Sequence, residues 1–297
     1  METTLPRLSR LAVSEQTFRR LALLSAVMLV VIIGSGATVR LTGSGLGCRH
    51  WPGCQPGDFF PKKGYESDIE FSNRAVATVT ILATLAAFVA ALKLPGAPRW
   101  LRWLAGLTFG GTAFQAPLGA ITVYSGLNPW VVMSHFLLSL VVLALGVIVA
   151  LEAWGVRGEP MPVRPRQLAL VAAGACLLLV FSGMLATAAG PHAGNENVER
   201  LWQFHSAVWL HVRATAVFGI TFLALIAWLS ATAASYVRPA LVVLGLLVSQ
   251  MIVGEVQYRT HLPWGLVLVH VVLASLVWAA MVVFVATMWR PRGALPQ

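Results

Sequence analysis

The chain has 297 residues, 58% of them hydrophobic and 11% charged, and its mean hydropathy is +0.77. These values exclude an ordinary water-soluble domain and define a polytopic membrane protein in contact with the lipid bilayer. The formal charge of +10 follows the loops rather than forming a patch, so no nucleic-acid partner is expected.

Apolar runs able to cross a hydrocarbon core of about 30 Å, at roughly 20 residues each, fall near residues 20–40, 71–92, 100–122, 130–151, 167–188, 205–230, 236–257 and 264–289. They predict an all-α fold of eight transmembrane helices, four in each half, with the halves at residues 1–152 and 153–297. Arg7, Arg10, Arg19 and Arg20 precede a full-length span with no small-residue cleavage pattern behind it. The first run is therefore expected to stay as a helix rather than act as a cleaved signal peptide. With the termini and the loops 93–102, 152–167 and 231–238 on one side, that side holds 13 Lys/Arg and 4 Asp/Glu, against 8 and 7 on the other. The positive-inside rule then places both termini in the cytoplasm.

The first run ends at Arg40 and continues as LTGSGLGC, a glycine-rich exit suited to tight turns and close approach. The outer loop, 41–70, is long enough to fold back as a lid. It carries Cys48 and Cys54 in CRHWPGC. An oxidising outer compartment favours a disulfide between them, while His50 between the two leaves half a zinc site as the alternative. Cys176, in mid-helix, reads as a small apolar core residue.

The second helix opens with Glu70-Phe-Ser-Asn73-Arg74, which puts Glu70, Asn73 and Arg74 on one face. These residues are either an interfacial ion pair or a functional group, and the cost of ionisable side chains at membrane helices raises the second reading. Arg99, Trp100 and Arg102 mark the cytoplasmic start of the third helix. The fourth carries His135 about two turns below the outer surface. The fifth exits through Gly190-Pro-His192-Ala-Gly194, leaving His192 in a loop. The sixth offers His205 and His211, whose six-residue spacing is a net rotation of about 240°, so one bundle axis takes only one of them. His211 is the deeper, and is as far from the cytoplasmic helix end as Asn73 is from its own. His205 is expected in the headgroup zone and His261 at the interface.

Two segments repeat. QAPLGAITVYSGLNPWVVMSH from Gln115 and QMIVGEVQYRTHLPWGLVLVH from Gln250 superpose at a shift of 135, aligning Gly119 with Gly254, Leu127 with Leu262 and His135 with His270. GATVRLTGSG from Gly36 matches GMLATAAGPH from Gly183, glycine on glycine at Gly36/Gly183 and Gly43/Gly190. Two imidazoles from facing helices of a bundle are the usual protein contribution to a six-coordinate haem iron. His211 and His270 form such a pair in the second half. In the first half Asn73 stands where His211 stands in the second, leaving only His135. The asymmetry points to one cofactor site and one substrate site.

The run LTGSGLGCRHWPGC, then EFSNR, QAPLGAITVYSGLNP with its His135, GPHAG, and VGEVQY with LPWGLVLVH resembles the haem A synthase family across nearly the whole chain. The resemblance implies two pseudo-symmetric four-helix bundles in a bacterial cell membrane, with haem b in the C-terminal half. It implies oxidation of a methyl group of haem O to the formyl group of haem A in the N-terminal half, supplying cytochrome oxidase. On that basis His211 and His270 resemble the haem b ligands, and His135 an axial ligand of the substrate haem. Glu70 resembles the functional carboxylate, Asn73 and Arg74 complete the substrate site, and Cys48 and Cys54 match the loop disulfide. Asn73 departs from the histidine that many members carry. Haem O, and the haem O synthase that would deliver it, are the implied partners, the electron-transfer partner is not indicated, and a homo-oligomer is compatible with the pattern. A b-type dihaem electron-transfer cytochrome is the alternative, but it calls for four good axial ligands. A repeat-built transporter would place broken helices at mid-membrane, whereas here the special residues cluster at the outer ends.

Overall fold

The computed structural model describes residues 12–62 and 64–289. The two chain termini, expected on the cytoplasmic side, lie outside the described residues. Eight long helices make up the fold: α1 (Glu15–Leu41), α2 (Tyr65–Lys93), α3 (Arg99–Tyr124), α4 (Pro129–Ala153), α5 (Val163–Ala189), α6 (Phe204–Thr232), α7 (Val237–Arg259) and α8 (Trp264–Met288). Seven are long and apolar enough to cross a membrane. The helix outside that set is α3, which contains Arg99, Arg102, Gln115 and Pro117.

Local chemistry sets the helix ends. Ser14 Oγ accepts the Thr17 N–H at 3.2 Å to start α1, and Asn128 Oδ1 accepts the Trp130 N–H at 3.0 Å ahead of Pro129 at the start of α4. The second helix begins at Tyr65, earlier than its apolar run. Glu66 and Asp68 lie in its first turn, where acidic groups complement the helix dipole. The Ser67 hydroxyl donates to the Gly64 and Lys62 carbonyls at 2.8 and 3.0 Å. The lid loop is therefore 42–64 rather than 41–70, and Glu70 sits in the second turn of α2 rather than at its opening. Hydropathy detects only the apolar part of a helix, so a polar first turn goes unread.

Helix neighbours follow chain order. α1 packs on α2 and α4, and α3 on both α2 and α4; α5 packs on α6 and α8, and α7 on both α6 and α8. The seam between the two sets is made by α1 and α4 against α8, and α4 against α5. The main buried cluster runs from this seam into the second set and includes Leu143, Phe218, Phe222, Met281 and Phe284, with Phe222 edge-on to Phe284 at 5.6 Å. In lipid there is little hydrophobic drive between helices, so close packing and buried hydrogen bonds hold such a seam. Trp278 supplies one of these bonds, its indole N–H donating to the Leu140 carbonyl at 2.9 Å. A smaller cluster around Phe18, Ala90 and Leu101 closes the other end of α1, α2 and α3.

The sequence repeat is also a repeat of backbone geometry. Leu127 and Leu262 donate to the Thr122 and Gln257 carbonyls at 2.9 and 2.7 Å, and Gly126 and His261 donate to those of Val123 and Tyr258 at 3.0 and 3.4 Å. Both turns therefore end their helix with the same doubled cap. Each has two consecutive residues at positive φ: Gly126 and Leu127 in the first, His261 and Leu262 in the second.

Candidate functional site

A cavity of about 2000 Å³ runs along both sets of helices and is lined by Glu70, Asn73, Arg74, His135, His211 and His270. Ligand pockets commonly enclose about 300–1000 Å³, so this one has room for two large ligands. The structure thus brings all six of these sequence-selected side chains to one space.

In each pair of consecutive helices, a glycine on the first faces a polar side chain on the second. A Cβ placed on Gly183 would lie 3.0 Å from His211 Cε1, one on Gly254 3.0 Å from His270 Cε1, and one on Gly119 3.5 Å from His135 Cε1. The fourth, Gly36, would place it 4.0 Å from Asn73 Oδ1. The glycines aligned by the repeat are therefore the surfaces against which the imidazoles lie, and a side chain at Gly183 or Gly254 would press on the His211 or His270 ring. Asn73 occupies the corresponding seat in α2, where the amide leaves more room.

His211 and His270 face each other with ring centroids 6.3 Å apart and planes at 72°. Ser182 fixes the first ring. Its hydroxyl donates to the Leu179 carbonyl at 2.7 Å, so at 3.0 Å from His211 Nδ1 its oxygen accepts the ring N–H. The lone pair is then on Nε2. His270 Nδ1 is buried without a hydrogen bond of normal geometry, although the Gln250 carbonyl approaches it. Two metal–imidazole bonds of about 2 Å each, with the two half-rings, span close to the observed separation, so this pair fits a metal held between the rings. Among the described residues no group of three His, Cys, Asp or Glu forms a metal cluster. A metal here would have to bring its other ligands, as a macrocycle does.

His135 is different. Like that of His270, its Nδ1 is buried and without a partner, as is Asn73 Oδ1, but among the described residues no second imidazole faces its ring. Its carbonyl accepts from Gln115 Nε2 at 3.2 Å and from the Ser139 hydroxyl at 2.9 Å, which fixes the helix turn carrying it. His205 is exposed and accepts the Trp209 indole N–H at 2.8 Å. His192, left without a role by the sequence, bonds the Leu262 carbonyl at 2.9 Å and ties the 190–204 loop to the turn before α8.

Glu70 is 4% exposed, and both carboxylate oxygens have donors. Oε2 accepts the Cys48 N–H at 2.8 Å and Oε1 accepts Arg74 Nη2 at 2.6 Å. Arg74 also donates to the carbonyls of His50 and Gly53 at 2.6 Å each and of Cys48 at 3.0 Å. Glu70 and Arg74 together hold the loop against α2 at the mouth of the cavity. This clamp was not readable from sequence, because its bonds join residues 21 to 26 positions apart.

Cys48 and Cys54 are joined as a disulfide, and Cys176 is free and buried, so the bonded pair displaces the zinc alternative. Protein purified without reductant and then denatured is expected to alkylate at Cys176 alone. Three modified cysteines by mass would contradict a bonded loop.

The fold and cavity define a multi-helix membrane protein with a large cavity between its helices. The model of the cytochrome oxidase assembly protein family (COX15-CtaA) matches residues 19–68 and 58–282, and the chain belongs to that family. It is similar to the heme A synthase of Bacillus pumilus, 40% identical over 47% of this chain and 46% of the relative, and to that of Bacillus licheniformis, 40% identical over 38% and 37%. The chain thus spans less than half the length of these two relatives in the matched stretch. The heme A synthase of Shewanella oneidensis is 25% identical over 83% of this chain and 89% of its own length.

Proposed function

We propose that the chain is a haem A synthase, which oxidises a methyl group of haem O to the formyl group of haem A for cytochrome oxidase assembly. The observation that carries this reading is the asymmetry of the cavity. One imidazole pair stands at ligation distance, and one imidazole faces a seat filled by an amide. An electron-transfer haem needs two fixed axial ligands, whereas a substrate haem must enter and leave. His211 and His270 hold haem b on this reading, and that cofactor supplies one-electron redox chemistry. His135 orients the substrate haem from one side. The amide oxygen of Asn73, on the other, accepts a hydrogen bond or binds weakly. Glu70, anchored by Arg74, gives the pocket wall a fixed negative charge beside the substrate.

Two four-helix bundles, at residues 1–152 and 153–297, account for the helix neighbours and the repeated caps. The disulfide-bonded loop lies on the extracytoplasmic face and both termini in the cytoplasm, which suits the charge distribution and a bond that needs an oxidising compartment. The substrate reaches the N-terminal bundle from the lipid or from the haem O synthase.

The test is conversion. Membranes from cells that make haem O but lack their own synthase are expected to yield haem A on mass analysis when this chain is produced, and haem O alone without it. Unchanged haem O in the presence of inserted protein would overturn the proposal. The role of Asn73 has its own prediction. Asn73→His fills the fourth seat with an imidazole opposite His135, so the low-spin haem signal per chain is expected to rise about twofold. An unchanged electron paramagnetic resonance spectrum would contradict this placement of Asn73.

A further inference from the structure

Arg40, at the end of α1, lines the main cavity. Arg200, just before α6, lines a smaller hollow beside it with Phe204, Tyr258 and His261. The two arginines come from opposite halves of the chain, and the two hollows are contiguous, both being lined by Gly190, Pro191, Phe204 and Tyr258. Neither forms an ion pair among those recorded for the described residues. Arg200 Nη2 donates to the Pro191 carbonyl at 2.8 Å, while its Nη1 is buried with no acceptor. Arg40 is overlaid by the 190–204 loop, with its Cγ 3.7 Å from the position a Cβ on Gly194 would take. The loop is pinned there by the Gly45 N–H, which donates to the Gly194 carbonyl at 3.0 Å.

Two guanidiniums without an ion pair, set along one loop in a partly buried place and one of them with an unused N–H, raise the energy of the ligand-free protein. An anion supplies both the missing counter-charge and the missing hydrogen bond. The geometry favours a carboxylate, which a guanidinium grips through two parallel bonds. His211 and His270 are seven and six residues past the first residues of α6 and α8, about 10 Å along each helix at 1.5 Å per residue. Both arginines stand at that same end of the bundle. A flat ligand held at the histidines by its centre thus turns one edge toward them.

We propose that Arg40 and Arg200 form one carboxylate-binding site, shared between the two halves, that holds the acidic edge of a tetrapyrrole bound between His211 and His270. This rests on the proposed ligand role of that histidine pair. The site places one cation from each half on a single ligand, so occupancy of the second-half haem fastens α1 and the 190–204 loop together.

The test follows haem loss rather than turnover. The rate at which the purified protein transfers its low-spin haem to excess apomyoglobin is measured for wild type, Arg40→Gln, Arg200→Gln, and the double variant Arg40→Lys with Arg200→Lys. Each glutamine variant is expected to keep the low-spin spectrum and lose haem roughly tenfold faster, the scale of one charge-assisted hydrogen bond, while the lysine variant recovers most of the difference. A second arm needs no variant to fold. Wild-type protein loaded with haem b dimethyl ester is expected to release it at least tenfold faster than the free acid. Equal rates for ester and acid, or glutamine variants within twofold of wild type, would overturn the carboxylate site. A wild-type protein with no low-spin haem would instead overturn the histidine assignment beneath it.

Discussion

His211→Ala and His270→Ala are each expected to abolish the low-spin haem spectrum of the purified protein, while His205→Ala leaves it unchanged. Among the described residues this is the one pair of imidazoles that face each other, with centroids 6.3 Å apart, and a six-coordinate low-spin iron needs both nitrogens. Ser182 sharpens the expectation: it holds the His211 tautomer from behind, and such support from beyond the ligands commonly changes affinity by about 10- to 100-fold. Ser182→Ala should therefore weaken the spectrum without removing it. His205 also lines the cavity, but it is exposed and its Nε2 is taken up by the Trp209 indole N–H. Loss of the spectrum in His205→Ala with retention in His211→Ala would reverse the assignment on α6.

Glu70→Gln is expected to lower haem A yield by about 100-fold, the lower range for a positioned acid or base, while haem b content and membrane insertion are retained. The structure explains why the loop should survive this change. Glutamine is nearly isosteric, its carbonyl oxygen can still accept from Arg74 or from Cys48, and Arg74 keeps its bonds to the His50, Gly53 and Cys48 carbonyls. The charge is lost and the clamp largely remains. Mass analysis of the extracted pigments separates the two roles: accumulated haem O or a partly oxidised haem marks a catalytic contribution, and wild-type haem A marks a purely structural one. Removing the clamp instead, with Arg74→Met, leaves the Glu70 charge buried without its partner, at about 3–5 kcal/mol for a broken buried pair. That variant should destabilise the loop as well as the chemistry.

Much of the fold was legible because apolar runs in lipid have one solution, the helix. The helix beginnings were less so. Tyr65–Ile69 forms a regular first turn of α2, yet its charges make it read as loop. The repeat marked His135 and His270 directly, and the four aligned glycines Gly36, Gly119, Gly183 and Gly254 were visible as identities. Their purpose was not, because a glycine facing a polar side chain on the next helix has no local pattern. Ser182, Arg74 as a loop clamp and the Arg40–Arg200 pair were hidden for the same reason. Each acts through partners brought near only by tertiary packing, and their residue types are ordinary at helix ends.

On the proposed function, one cavity holds a fixed cofactor haem and an exchangeable substrate haem. This is tested most directly by extracting and weighing the pigments bound to protein purified from cells supplied with haem O. The account predicts haem b together with haem O or haem A on the same protein. Haem b alone, with haem O abundant in the membrane, would contradict it and identify the chain as an electron-transfer cytochrome.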